Sequence, residues 1–204
     1  MRSQRRLYRN QGGVYAEVPS KPNLLAYYKL EEISGTSVID SNGTNHANNT
    51  GQEINIYGKV NRGYTNKNGI WGAIVTPTMT GVKSVSAWFF SISPNASWTY
   101  FYDSRPDYTS YATNNAIFNM SRMHINGVSV ATTKENLPKQ AQGWTHLYLE
   151  FNSAFNGKFT IMTDRNISIG NRLVSDIDEI AIYNKALTIE EISQLYNNGI
   201  GSTY

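Results

Sequence analysis

The sequence predicts an all-β chain closed by one short C-terminal helix, and three observations carry that prediction. Apolar residues alternate with polar ones in short runs, each bounded by clusters of Gly, Asn, Asp and Pro, the period-two pattern of half-buried strands between turns. The aromatic share of 12% is dominated by 14 Tyr, a residue suited to pleated, half-wet surfaces. Only one segment, near the C-terminus, has helical spacing. With 204 residues, 40% hydrophobic and 16% charged, the chain is globular in composition and long enough for one large domain with a short arm.

Residues 1–22 read as a basic N-terminal arm and linker, punctuated by Gly12, Gly13, Pro19 and Pro22, and residues 23–204 as the domain. Arg2, Arg5, Arg6 and Arg9 account for the whole net charge of +3, so the body is near neutral. Such an arm is either a disordered tail or a docking element. Ordering a backbone residue costs about 1–2 kcal/mol, which Leu7 and Tyr8 alone do not offset, so an ordered arm needs a partner. Docked, it sets the four arginines on carboxylates or carbonyls of another protein chain and Leu7 and Tyr8 on apolar surface.

In the domain, residues 24–30 form the first strand-like run and residues 81–92 the second. The latter sets Val85, Ala87 and Phe89 on one face and Ser84, Ser86 and Trp88 on the other. Residues 98–102, 116–120, 144–151 and 158–162 continue the series. Within 144–151, Thr145, Leu147, Leu149 and Phe151 separate from Trp144, His146, Tyr148 and Glu150. The helix opens at Thr188, an N-cap completed by Glu191 as a capping box, with Leu187 and Ile192 placed as a hydrophobic staple. Ile189, Ile192, Leu195 and Tyr196 form its apolar stripe, and Gly199 stands where a helix stop is expected.

Six segments carry a resemblance: NLLAYYKLEE (23–32), GTSVIDSNGTNHA (35–47), GKVNRGY (58–64), SVSAWFF (84–90), GWTHLYLEF (143–151) and DIDEIAIYNKALTIEEISQLYNNG (176–199). In order and content they resemble the laminin-G-like branch of the concanavalin-A-like lectin/glucanase superfamily. The middle, about residues 95–142, departs from it, and FNGKFTIMTDRN (155–166) stands where the family runs Tyr-x-Asp-Gly. The resemblance implies a two-sheet antiparallel jelly-roll-like sandwich whose first and last strands lie side by side. Its members include adhesion modules, glycan binders, glycosidase appendages and phage virion parts, so the fold is not itself a function. It also implies a structural calcium ion held by Asp178, with carbonyls around Asn42 and Gly43; the other reading of Asp178 is a turn cap.

Catalytic residues are not expected. Retaining glycosidases need two carboxylates about 5–5.5 Å apart. Asp176 and Asp178 alternate correctly, but Ile180 follows on that face, and the adjacent Glu31 and Glu32 point to opposite sides. His46, His124 and His146 lack metal-ligand spacing, and no nucleophile elbow or phosphate-binding glycine loop occurs. Cysteine is absent, which excludes thiol chemistry and fits folding in a reducing compartment. No secretory signal follows the basic start, and no stretch approaches a membrane span. Nucleic acid is not expected as the main partner of a near-neutral body.

The stretch WTYFYDSRPDYTSY (98–111) holds the candidate contact residues Trp98, Tyr100, Tyr102, Arg105, Tyr108 and Tyr111. Aromatic faces beside Asp, Arg and Ser suit sugar rings or a partner chain; the plainer alternative is that Trp98, Tyr100 and Tyr102 cover one face of a strand. Two functions follow. The first is a non-catalytic phage virion protein (capsid decoration, head-fibre or tail component), present in many copies and docked by its arm on other virion proteins. Its lectin-like domain would turn outward, toward host glycans. The alternative is a carbohydrate-binding or adhesion module of a larger secreted bacterial protein.

Overall fold

The computed structural model describes residues 14–93, 98–138 and 143–204. In chain order the strands are β1 (Ala16–Glu17), β2 (Leu24–Tyr28), β3 (Ser37–Val38), β4 (Ala47–Asn49), β5 (Glu53–Tyr57), β6 (Arg62–Thr65), β7 (Ile74–Val75), β8 (Met79–Ser93) and β9 (Tyr100–Asp103). There follow β10 (Tyr111–Thr113), β11 (Ile117–Phe118), β12 (Met120–Ile125), β13 (Val128–Val130), β14 (Trp144–Gly157), β15 (Thr160–Ile161), β16 (Val174–Tyr183), helix α1 (Ile189–Tyr196) and β17 (Ser202–Thr203).

Strands β2 to β16 form two antiparallel sheets packed face to face as a jelly-roll-like sandwich. One runs β13-β12-β14-β8-β16-β6-β5, with β2 sharing the outer edge of β16; the other runs β11-β10-β9-β15-β7-β4-β3. The expected adjacency of first and last core strands is present: Tyr28 lies opposite Ile180 and Ala26 opposite Ile182. The alternation read from the sequence sets the core. Val85, Ala87 and Phe89 of β8 and Leu147, Leu149 and Phe151 of β14 are buried with Ile177, Ile180 and Ile182 of β16. Facing them from the other sheet are Ile74, Tyr102, Ala112 and Ile161, each residue fully buried being worth about 1.5–3 kcal/mol when large and apolar.

The outer face of the first sheet is covered. Tyr148, Ala181 and Tyr183 pack under Leu187, Ile192 and Leu195 of the helical segment, together with Val18 and Leu24. The capping box forms as expected, Glu191 N–H donating to Thr188 Oγ1 (3.2 Å) and Thr188 N–H to Glu191 Oε2 (2.8 Å). The helix stops earlier than Gly199 suggested, because Asn197 and Asn198 take left-handed backbone (φ 45° and 51°), which Asn tolerates better than other side chains.

The arm reading needs revision where it can be seen. Arg2, Arg5, Arg6, Leu7, Tyr8 and Arg9 lie outside the described residues. The segment from Ala16 to Pro22, also read as arm, belongs to the domain. Ala16 and Glu17 pair in parallel with Ser202 and Thr203, Val18 is buried, and Ser20 Oγ bonds Glu191. Pro19 and Pro22 thus punctuate a terminal strap, not a free linker.

Candidate functional site

Cross-strand register decides what the second sheet presents outward. Phe118 lies opposite Tyr111, Tyr111 opposite Asp103, Asp103 opposite Thr160, and Thr160 opposite Val75. Directly paired residues share a face, and the neighbouring row (Ile117, Ala112, Tyr102, Ile161, Ile74) is the one that enters the core. The row from Phe118 to Val75 therefore points away from it.

Aromatic rings form a ladder there. Trp98 stacks near Tyr100 (centroids 6.3 Å), Tyr100 meets Tyr111 (6.3 Å), and Tyr111 stacks on Phe118 (5.7 Å). The two end rings are the open ones, Trp98 at 42% and Phe118 at 45% exposure, whereas Tyr100 is buried to 7%. With partly buried Tyr111 between them they make a contiguous aromatic patch, and such patches mark interaction surfaces.

Arg105 lies across the ladder, its guanidinium carbon 4.5 Å from the Tyr111 centroid and 5.5 Å from that of Tyr100. It is fixed by Asp103, which is fully buried: Nε donates to Oδ1 and Nη2 to Oδ2, both at 2.8 Å, and Nη2 also reaches the Tyr100 hydroxyl (3.0 Å). Asp103 further accepts the backbone N–H groups of Arg105 (3.1 Å) and Arg165 (3.0 Å). A bidentate fork of this kind sets a planar group with more precision than a point charge could, and the neighbouring carboxylate holds the Arg105 pKa above its usual range.

The structure thus gathers Trp98, Tyr100, Arg105 and Tyr111, and adds Asp103 and Phe118, which the sequence reading missed. It sends two other candidates elsewhere. Tyr102 is in the core, 1% exposed, because register slips between Ala112 and Thr113, leaving Phe101 as an extra residue that turns the alternation over. Tyr108 stacks on Phe155 (4.7 Å, 4° between planes) beside Phe151, closing one end of the core.

Asp178 was the expected calcium ligand. It is fully buried, and its oxygens face N–H groups: Val60 N–H donates to Oδ2 (2.8 Å) and Glu179 N–H to Oδ1 (2.9 Å). Burial pushes its pKa well up, against the pull of the backbone N–H groups of Val60, Glu179 and Lys59. Lone pairs turned toward N–H donors do not fit a hard cation, which needs them itself. The loop holding Asn42 and Gly43 is organised by a different acid. Asp40 accepts from the N–H groups of Tyr27 (2.8 Å), Asn42 (2.9 Å) and Asn45 (3.1 Å). Asp178 is a turn anchor, with Asp40 doing the same work in the first loop. Among the described residues no three His, Cys, Asp or Glu side chains gather as metal ligands.

Asp176, the other alternating acid, pairs with Lys67 at 2.8 Å, so no pair of carboxylates faces a common substrate position on β16. His146 Nε2 lies 2.7 Å from Ser86 Oγ, but both residues are 1% exposed beneath Trp88 and Tyr196, out of reach of any acyl group. Burial, and secondarily the charge of His124, push the His146 pKa down to about 3. Its ordinary value is 6.5, so the unfolded chain takes up this proton first and stability is lost as pH falls from 6.5 toward 3. Asp178 and Glu179 are raised by burial and act in the opposite sense. The expected result is therefore differential: across that window His146→Gln loses less melting temperature than the unsubstituted protein, and parallel curves would contradict the assignment.

No family model matches the chain, and no curated protein matches it in sequence. Solved structures match the fold. The Trypanosoma rangeli sialidase aligns with 94% of this chain at 11% identity and a TM-score of 0.60, and this chain spans 37% of the sialidase. Domain 4 of an extracellular arabinanase from Geobacillus stearothermophilus, in complex with arabinotriose, aligns over 98% of its length and 88% of this chain, with 18% identity and a TM-score of 0.53. The binding domain of Paraclostridial Mosquitocidal Protein 1 covers 88% of this chain, which spans 53% of it, with 14% identity and a TM-score of 0.52. These likenesses show the fold alone, a two-sheet β-sandwich. Of these three, the arabinanase domain is matched over most of both chains, and the sialidase over about a third of its length. Among the described residues no helix is long and apolar enough to cross a membrane.

Proposed function

We propose that this protein is a non-catalytic carbohydrate-binding domain of an extracellular protein and that it binds glycans on the ladder of Trp98, Tyr100, Tyr111 and Phe118. The observation that carries this is the joining of half-exposed rings to a fixed guanidinium on the sheet face opposite the one that α1 covers. Sugars offer C–H faces that pack on aromatic rings and hydroxyls that take hydrogen bonds from a positioned donor. The sugar-bound arabinanase domain of the same fold supports the reading. The phage virion reading, placed first from the sequence, gains no support from these neighbours.

Affinity electrophoresis through gels holding soluble arabinan, xylan, β-glucan or galactomannan tests it. At least one polysaccharide is expected to retard the protein, and Trp98→Ala to abolish most of that retardation while leaving the melting temperature within about 2 °C, since half-exposed side chains carry little stability. Unhindered migration through every gel would overturn the proposal. No bond cleavage is expected in any of the four polysaccharides, since the two alternating acids of β16 are engaged, Asp176 by Lys67 and Asp178 in full burial.

A further inference from the structure

We infer that the ladder selects an extended, uncharged oligosaccharide over single sugars and over acidic glycans. The inference rests on the glycan-binding reading and adds ligand size and charge to it.

Size follows from where exposure sits. The open rings, Trp98 and Phe118, stand at opposite ends, separated by Tyr100 and Tyr111 in ring-to-ring steps of 6.3, 6.3 and 5.7 Å. A ligand one ring long covers one end and leaves the other in water. A chain that reaches both buries two apolar faces and passes over Arg105 between them, and apolar burial grows with the area covered. Arg105 has the donor such a chain requires. Its Nε and Nη2 are committed to Asp103 and Tyr100, whereas Nη1 has no partner among the described residues and belongs to a partly exposed side chain.

Charge follows from what Arg105 already faces. Two guanidinium groups, Arg105 and Arg165, face buried Asp103, at 2.8 and 3.9 Å. The charge of Arg105 is therefore already countered by a carboxylate fixed in place, which weakens its pull on an anionic sugar. A uronate would also have to compete with the bidentate carboxylate that already holds Arg105. Planar, tethered and half-open, the guanidinium is set to donate to a hydroxyl.

Titration calorimetry with monosaccharides and with tri- and hexasaccharides of arabinan, xylan and β-glucan, alongside hexagalacturonic acid, decides the matter at low and high salt. For at least one neutral series the hexasaccharide should bind about tenfold or more tighter than its monosaccharide, with little change between salt concentrations. Trp98→Ala and Phe118→Ala should each remove most of that gain, and both are half-exposed positions whose loss leaves the fold intact by melting temperature. Equal affinity for monosaccharide and hexasaccharide would overturn the size inference, and tight, salt-sensitive binding of hexagalacturonic acid the charge inference; in either case the glycan-binding reading stands. If no sugar of any length binds and no polysaccharide retards the protein, that reading falls as well.

Discussion

Asp178→Ala should lower the melting temperature by about 6–12 °C. The carboxylate is 0% exposed and satisfies Val60 N–H at the tip of the β5–β6 hairpin and Glu179 N–H in its own strand. Alanine leaves those donors buried without acceptors, at about 1–3 kcal/mol each. A total near 3 kcal/mol, at roughly 2–4 °C per kcal/mol for a domain of this size, gives the stated range. The site has little room to adjust. At Gly58 a Cβ would collide with the Arg62 carbonyl and lie 2.6 Å from Asp178 Oδ2, and at Gly63 it would lie 2.8 Å from the Ile177 carbonyl. Glu179 beside it is held at φ 52°, a conformation that costs about 1–3 kcal/mol for a side chain of its kind. Asp178→Asn should recover only part of the loss, because its amide group would oppose one of the two N–H donors. Differential scanning calorimetry with chelator and with excess calcium makes the assignment specific. A turn anchor gives the same loss in both. Were the unsubstituted protein to melt higher with calcium, and Asp178→Ala to be indifferent to it, the carboxylate would be a metal ligand after all.

That role shows what a sequence can and cannot carry here. The alternation of Asp176 and Asp178 on one face of β16 was legible, as were the inward faces of β8 and β14 and the capping box at Thr188, because each depends on spacing within one element. Asp178 meets its partner Val60 across a sequence separation of 118 residues, and no local pattern encodes that contact. The same holds for the ladder. Trp98, Tyr100, Arg105 and Tyr111 were visible as an aromatic stretch with a cation. Phe118 joins them only because a two-residue strand pairs it with Tyr111, and Asp103 only because register sets it opposite Tyr111. Tyr102 was misplaced for a definite reason. Counting by twos assumes an unbroken pleat, and the irregularity at Phe101 inverts it. The strap at Ala16–Glu17 escaped notice because its partner, Ser202–Thr203, is at the other end of the chain, and a two-residue strand has no period to detect.

Arg105→Ala should separate the stability of this face from its binding function. The substitution removes three side-chain donations around the buried Asp103 carboxylate: Nε and Nη2 to its two oxygens and, beside them, Nη2 to the Tyr100 hydroxyl. What then faces the carboxylate is backbone N–H from residues 105 and 165 and the Arg165 guanidinium at 3.9 Å. Breaking a buried ion pair on one side costs about 3–5 kcal/mol because a charge is left uncompensated; since Arg105 is itself partly exposed and Arg165 stays near, the lower end of that range applies, again about 6–12 °C in melting temperature. Adding Asp103→Asn should restore part of the loss, since the stranded charge is gone although the new amide group opposes one of the two backbone N–H donors of residues 105 and 165. Glycan retardation should not return with it, because the guanidinium that crosses Tyr100 and Tyr111 is still missing. Melting curves and affinity electrophoresis on the two single variants and the double variant check both halves. Recovery of retardation together with stability would mean that Arg105 acts only by holding the sheet, and the binding role assigned to it would be wrong.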